Sequence, residues 1–234
     1  MHVTRSIEVI IIDMDNLSYT EENYLKSIYH LSKGGDKDVS TNDLADEMKT
    51  KAASVTDMIK RLSIKKLVNY KKYKGVNISN QGKNVALRVI RKHRLWETFL
   101  VEKMKFNWDE VHDVAEQLEH IKSPLLIKRL DEFLGHPKYD PHGDPIPDEN
   151  GEYKAKPQTP ICDVGINCEG ILMSVNNSSS PFLQYLDKIG AYIGAKIKVT
   201  DRIEFDGSNE IMIDNKRTVF ISKEVAENIL ISES

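Results

Sequence analysis

Residues 93–120 read HRLWETFLVEKMKFNWDEVHDVAEQLEH. The stretch carries three histidines and several carboxylates at helical spacing. His93 and Glu97 are four apart, and His112, Glu116, Glu119 and His120 follow one another at i, i+4, i+7 and i+8. At about 100° per residue those four side chains share one stripe of a helix. Imidazoles and carboxylates on one face form a donor set for a borderline-to-hard divalent cation. The same stripe taken alone reads equally as an ordinary solvated helix face, so its neighbours decide.

The segment before it is strongly basic. From Lys49 to Arg94 there are 14 Lys or Arg against a single acid, Asp57, a local charge of +13 in a chain whose net charge is −3; the rest carries −16. A basic block on an acidic body is the footprint of a nucleic-acid-binding head. The local patterns agree. Ser18 to Glu22 reads as a capped helix start, continued by the apolar face Tyr24, Leu25, Ile28, Tyr29 and Leu31 up to Gly34–Gly35. A short helix follows from Asn42 to Met48, then one from Ala52 to about Lys65 with Val55, Met58, Ile59 and Leu62 facing inward. Residues 67–79 alternate around a Lys-Gly turn as a two-stranded wing. Together these predict a winged helix-turn-helix, against the alternative of an αα-hairpin with no DNA role. In a winged helix, Lys51, Ala53, Ser54, Thr56, Asp57 and Lys60 would meet base edges and phosphates, while Arg61 and the wing residues Lys71, Lys72 and Lys74 would hold phosphate.

The remaining chain reads as follows. A long helix starts at Ser79–Lys83 and runs to about Phe106. Asn107–Asp109 caps the helix bearing His112 to His120, and Ser123–Pro124 opens one with Leu125, Leu126, Ile127, Leu130, Phe133 and Leu134, a face greasy enough for a dimer interface or a plain core. The Pro-rich stretch Asp140–Pro160 predicts a linker. Beyond Gly165, strands are expected at 170–175, 196–200, 203–205, 210–213 and 217–221, with helices at 181–190 and 225–231. Composition is 40% hydrophobic and 29% charged, without an apolar run long enough for a bilayer. Cys162 and Cys168 are expected as reduced structural thiols of a cytoplasmic protein. The run Val9–Ile12 is too short for a signal sequence. Either Met14 opens the folded chain or residues 1–15 fray, and neither gives that segment a function.

The run His136-Pro137-Lys138-Tyr139-Asp140-Pro141-His142-Gly143-Asp144-Pro145-Ile146-Pro147, following the winged helix and the H-R-L-x-E and H-x3-E-x2-E-H segments, resembles the metal-dependent repressors of the diphtheria toxin repressor family, and most closely its manganese transport regulators. The resemblance implies an α+β chain: residues 1–17 as an extra segment, a winged-helix domain at 18–80, a helical metal-binding and dimerisation domain at 81–147, a linker at 148–164 and an SH3-like small β-barrel at 165–234. It implies up to two Mn²⁺ (alternatively Fe²⁺) per subunit, a palindromic operator on double-stranded DNA, and a homodimer. The family's ancillary site falls on His93, Glu97 and His112, and its primary site on Glu116, Glu119, His120 and, from the first helix, Asn23.

Some positions depart from the family pattern. Glu116 stands where iron-responsive members carry Cys and manganese-responsive ones Glu, which hardens the site toward Mn²⁺ or Fe²⁺ over softer ions. Asn23 stands where Asp or Met is usual, and Lys26 where some manganese regulators carry Glu. Asn176–Ser180, where longer members donate a ligand from the SH3-like domain, holds no carboxylate. The implied function is a Mn²⁺-activated repressor of metal-uptake genes, with an Fe²⁺-dependent repressor as runner-up; without metal, the clustered carboxylates are expected to repel one another. Two other readings are a metal-independent winged-helix regulator and a di-metal carboxylate enzyme, which would need Glu-x-x-His on two helices but meets Gln117 three residues before His120.

Overall fold

The computed structural model describes residues 17–71, 74–154 and 157–233. The expectations for residues 1–16 and for Lys72 lie outside the described residues. The chain forms two compact units: one holds the described residues up to His93 with Gln117–Ile127 and Pro147–Glu152, and the other holds Arg94–Glu116, Lys128–Ile146 and Tyr153 onward.

The first unit begins with α1 (Tyr19–Leu31). Ser18 and Glu21 close its N-terminus reciprocally: the Ser18 hydroxyl accepts from Glu21 N at 3.2 Å and the Glu21 carboxylate from Ser18 N at 2.9 Å. Helices α2 (Thr41–Glu47) and α3 (Ala52–Ile64) follow, and then the hairpin β1 (Val68–Lys71) and β2 (Gly75–Ile78), paired antiparallel from Val68↔Ile78 to Lys71↔Gly75. Of the residues expected to face inward, Leu25, Ile28, Val55, Ile59 and Leu62 are fully buried in one core, which Leu44 joins. Gly75 is required where it stands. Its φ is +108° and a Cβ there would lie 2.4 Å from the Val39 carbonyl oxygen, a close approach that only glycine permits. The winged helix is therefore present.

Helix α4 (Asn80–Glu102) carries His93 and Glu97, and stops short of the expected Phe106. Helix α5 (Val111–Leu118) ends before Glu119, so the expected stripe is cut: Glu119 and His120 sit in the turn after the helix. The helix cannot continue because Ile121 N turns back onto the Leu118 carbonyl (3.2 Å) ahead of Pro124. Helix α6 (Pro124–Phe133) leaves Leu125, Leu126 and Phe133 exposed.

In the second unit, six strands form one antiparallel sheet: β3 (Thr159–Pro160), β4 (Glu169–Val175), β5 (Lys196–Arg202), β6 (Asn209–Ile213), β7 (Arg217–Ile221) and β8 (Ile229–Glu233), with α7 (Ser180–Ile189) and α8 (Lys223–Asn228) between them. Their order is β3-β8-β4-β5-β6-β7, and among the described residues β7 and β3 are not paired, so the sheet is SH3-like without a closed barrel. Ile203–Phe205 is not a strand; β5 ends at Arg202 and Phe205 is exposed. The expected helix at 225–231 stops at Asn228, where the chain turns into strand β8 and places Ile229 and Ile231 in the core. The expected linker is partly structural, since Asp140 and His142 are buried.

Candidate metal centre and DNA-facing surface

Helix α1 carries three polar side chains that bear on the site, two of them in contact with the 119–120 turn. One is Glu22, whose carboxylate is buried and meets Nδ1 of His120 at 2.6 Å. With a carboxylate as acceptor, Nδ1 carries the proton, which leaves Nε2 as the ring's lone-pair donor. Nε2 faces Glu119 Oε1 at 3.7 Å. Tyr19 stacks on the same ring, with centroids 4.7 Å apart and planes 16° apart. The second is Lys26, whose Nζ donates to both Glu119 oxygens at 2.8 Å. The third is Asn23, whose Oδ1 is buried without a hydrogen-bond partner; a buried orphan acceptor is costly unless a ligand claims it.

Glu119 is wholly buried and also accepts from Nδ1 of His93 at 2.5 Å. Burial pushes its carboxyl up, but the His93 hydrogen bond and the Lys26 charge more than reverse this and hold it below the usual carboxylate range. Burial lowers the Lys92 ammonium, with Glu22 and Glu119 pulling it back up. In this unit the expected repulsion between carboxylates is offset, since Glu22 and Glu119 each have a cationic or imidazole partner.

The second unit gathers a different set around Glu97. Nδ1 of His112 lies 3.6 Å from Glu97 Oε1 and Nδ1 of His142 lies 3.8 Å from it. Glu97, Asp140 and His142, all buried, have ligand atoms within 4.8 Å of one another. His142 Nε2 donates to the Trp108 carbonyl at 2.8 Å, which turns Nδ1 toward Glu97. Asp140 Oδ1 accepts from the backbone N–H of His142 (2.8 Å) and of Asp144 (3.0 Å). Gly143, at φ +85°, lets this loop lie against β4; a Cβ there would fall 1.7 Å from the Met173 carbonyl oxygen. Burial works against the His142 imidazolium, but the hydrogen bond and charge of Glu97, and then Asp140, lift its pKa to about 9. Burial, followed by the charges of Glu97 and Asp144, raises Asp140.

Of the residues singled out in the sequence, Glu119, His120 and His93 lie in the first unit with Asn23, and Glu97, His112 and Glu116 in the second. His93 precedes Glu97 by one turn of α4, and Glu116 is half exposed with its oxygen 3.7 Å from His112 Nε2. Sequence reasoning missed Glu22, Asp140 and His142. Amide and carboxylate oxygens with imidazole nitrogens, one oxygen buried and unclaimed, fit a divalent cation of the Mn²⁺ or Fe²⁺ type. Lys51 at the start of α3 and Ala53, Ser54, Asp57, Lys60 and Arg61 on it are exposed, as are Lys71 and Lys74 of the wing. Thr56 is half buried and its hydroxyl donates to the Ala52 carbonyl (2.9 Å).

Comparison with known proteins bears on this geometry. Residues 16–76 match the family described as "Iron dependent repressor, N-terminal DNA binding domain", residues 79–148 its "metal binding and dimerisation domain", and residues 159–233 the "FeoA domain". A solved "Manganese-dependent transcriptional repressor complex with manganese" is 33% identical and superposes with a TM-score of 0.84, over 92% of this chain and 100% of that one. The chain belongs to the diphtheria toxin repressor family. The diphtheria toxin repressor of Corynebacterium glutamicum is 26% identical over 217 residues, 86% of this chain and 95% of that protein. The iron-dependent repressor IdeR of Mycobacterium leprae is 31% identical over 134 residues, and the match spans 57% of this chain and 58% of that relative's length. A second solved member, ScaR with bound Cd²⁺, is 28% identical with a TM-score of 0.77, over 92% of this chain and 99% of that one. The relatives named here are described as repressors. Among the described residues no helix is long and apolar enough to cross a membrane.

Proposed function

We propose that this chain is a cytoplasmic, homodimeric, Mn²⁺-dependent repressor of metal-ion uptake genes that binds a palindromic operator. One observation carries the reading: the first helix of the winged-helix head is tied to the 119–120 turn through Glu22–His120 at 2.6 Å and Lys26–Glu119 at 2.8 Å. A donor cluster that joins the DNA-reading head to the turn beyond α5 couples ligand binding to the head's geometry.

Asn23, Glu116, Glu119 and His120 would hold the primary cation, and His93, Glu97 and His112 the ancillary one, with Asp140 and His142 as further donors beside Glu97. Bound metal supplies positive charge that cross-links carboxylates and imidazoles from different elements. Glu22 fixes the tautomer of His120, and the Trp108 carbonyl orients the His142 ring. Lys51, Ala53, Ser54, Thr56, Asp57 and Lys60 would read the major groove; Arg61, Lys71, Lys72 and Lys74 would hold phosphate. The domains are taken as 18–80, 81–147 and 165–234, joined by 148–164. Mn²⁺ is put ahead of Fe²⁺ because Glu116 stands where manganese-responsive members carry Glu and iron-responsive ones Cys; the carboxylate itself favours either ion over softer ones.

The test is operator binding by gel shift under anaerobic conditions, titrated separately with Mn²⁺, Fe²⁺ and chelator. Binding that no metal alters overturns the proposal, and a response confined to Fe²⁺ makes the chain an iron regulator.

A further inference from the structure

Lys26 occupies an unusual place for a cationic side chain. Its ammonium sits 2.8 Å from each oxygen of Glu119, a carboxylate with no solvent exposure, while its own side chain is 14% exposed. An ionised carboxylate offers about four lone-pair directions. Lys26 takes one on each oxygen and His93 takes another on Oε2. We propose that Lys26 is a tethered competitor for the divalent cation at Glu119, and that it sets the metal concentration at which the protein loads. This rests on the reading of Glu119 as a metal ligand.

The argument is one of charge and space. A divalent ion on Glu119 would share that carboxylate with an ammonium already in contact with it, and two cations that close repel strongly in a buried setting. Loading therefore requires the ammonium to leave. The flexible four-carbon stem and its partial exposure give Lys26 a route to solvent. Lys26 also stabilises the metal-free state, because its ammonium is the cation in direct contact with both oxygens of this buried carboxylate. Both effects weaken metal binding relative to a site without the lysine. The device lies on α1 one turn beyond Glu22, so release of Lys26 and engagement of Glu119 occur at the same helix that serves the DNA head.

The test is a Mn²⁺ titration of full-length protein without DNA, reading free Mn²⁺ by its electron paramagnetic resonance signal. Lys26→Met and Lys26→Gln should each tighten one Mn²⁺ site by about tenfold or more, the scale on which outer-shell partners change metal affinity, with stoichiometry unchanged. Both variants should melt at or below the wild-type temperature in chelator, since they lose an ion pair. Lys26→Arg, which keeps the charge, should stay within about threefold of wild type. Mn²⁺ binding by Lys26→Gln that is no tighter than wild type overturns the proposal. Glu119→Gln is the separate control: if it binds Mn²⁺ as tightly as wild type at unchanged stoichiometry, Glu119 is not a ligand and the underlying site assignment fails instead.

Discussion

Chelator-treated protein taken from pH 6.5 to pH 9 should lose stability through His142. The folded state holds this imidazolium up to about pH 9 against an ordinary value of 6.5. A folded-state pKa raised in this way contributes stability that is fully present below pH 6.5, falls across the interval and is gone above pH 9. About 2.5 pH units at ~1.36 kcal/mol per unit gives on the order of 3 kcal/mol. Asp140 works in the same direction at lower pH, because burial and then Glu97 make the folded state bind its proton more tightly. The assay is the urea midpoint followed by circular dichroism at half-unit pH steps, for wild type and His142→Asn. The variant should start less stable at pH 6.5 and show a flatter slope up to pH 9. Parallel curves for the two proteins would refute the argument, since the slope would then come from other groups.

Gly143→Ala should cost about 3 kcal/mol or more in a thermal melt, combining a left-handed φ of +85° with a Cβ placed 1.7 Å from the Met173 carbonyl oxygen; an unchanged midpoint would mean the loop can lie elsewhere. Lys71→Ala, on the exposed wing, should weaken operator and random DNA alike and reduce the slope of log K against log salt by about one. A loss confined to the operator would make Lys71 a base reader. Leu125→Asp, on a face of α6 where Leu125 and Phe133 are 65% and 64% exposed, should convert the proposed dimer to monomer by sedimentation velocity; a dimer of wild-type stability would place the interface on another face.

The winged helix was legible because local and global signals agree there. Ser18 and Glu21 form a capping box at the expected helix start, and Tyr24, Leu25, Ile28 and Tyr29 are all buried. The ligand stripe was legible in its members but not in its shape. A 100° period carried past Leu118 puts Glu119 and His120 on a helix, whereas the chain turns there ahead of Pro124. Glu22 was hidden for another reason: an acid in the first turn of a helix is already accounted for by the helix dipole, and only tertiary contact reveals that it faces His120. Asp140 and His142 stood in plain view within a Pro-punctuated run, but proline spacing argues for a linker and says nothing of the backbone bonds that bury Asp140. The segment 225–231 failed because one helical turn and one strand share it; the β-branched alternation of Ile229 and Ile231 was the available clue.

Strand β8 has a consequence for how the protein is made. It lies between β3 and β4, which have no pairing with each other, so residues 229–233 stitch two otherwise separate parts of the sheet. During synthesis the winged helix, built from contacts close in sequence, can fold while the ribosome is still translating the later strands. The last sheet cannot. Until residue 229 has emerged, β4 offers the nascent chain an open edge, Gly170–Val175, of the kind that pairs with other chains. The exposed interval for this sheet is thus the one before β8 arrives.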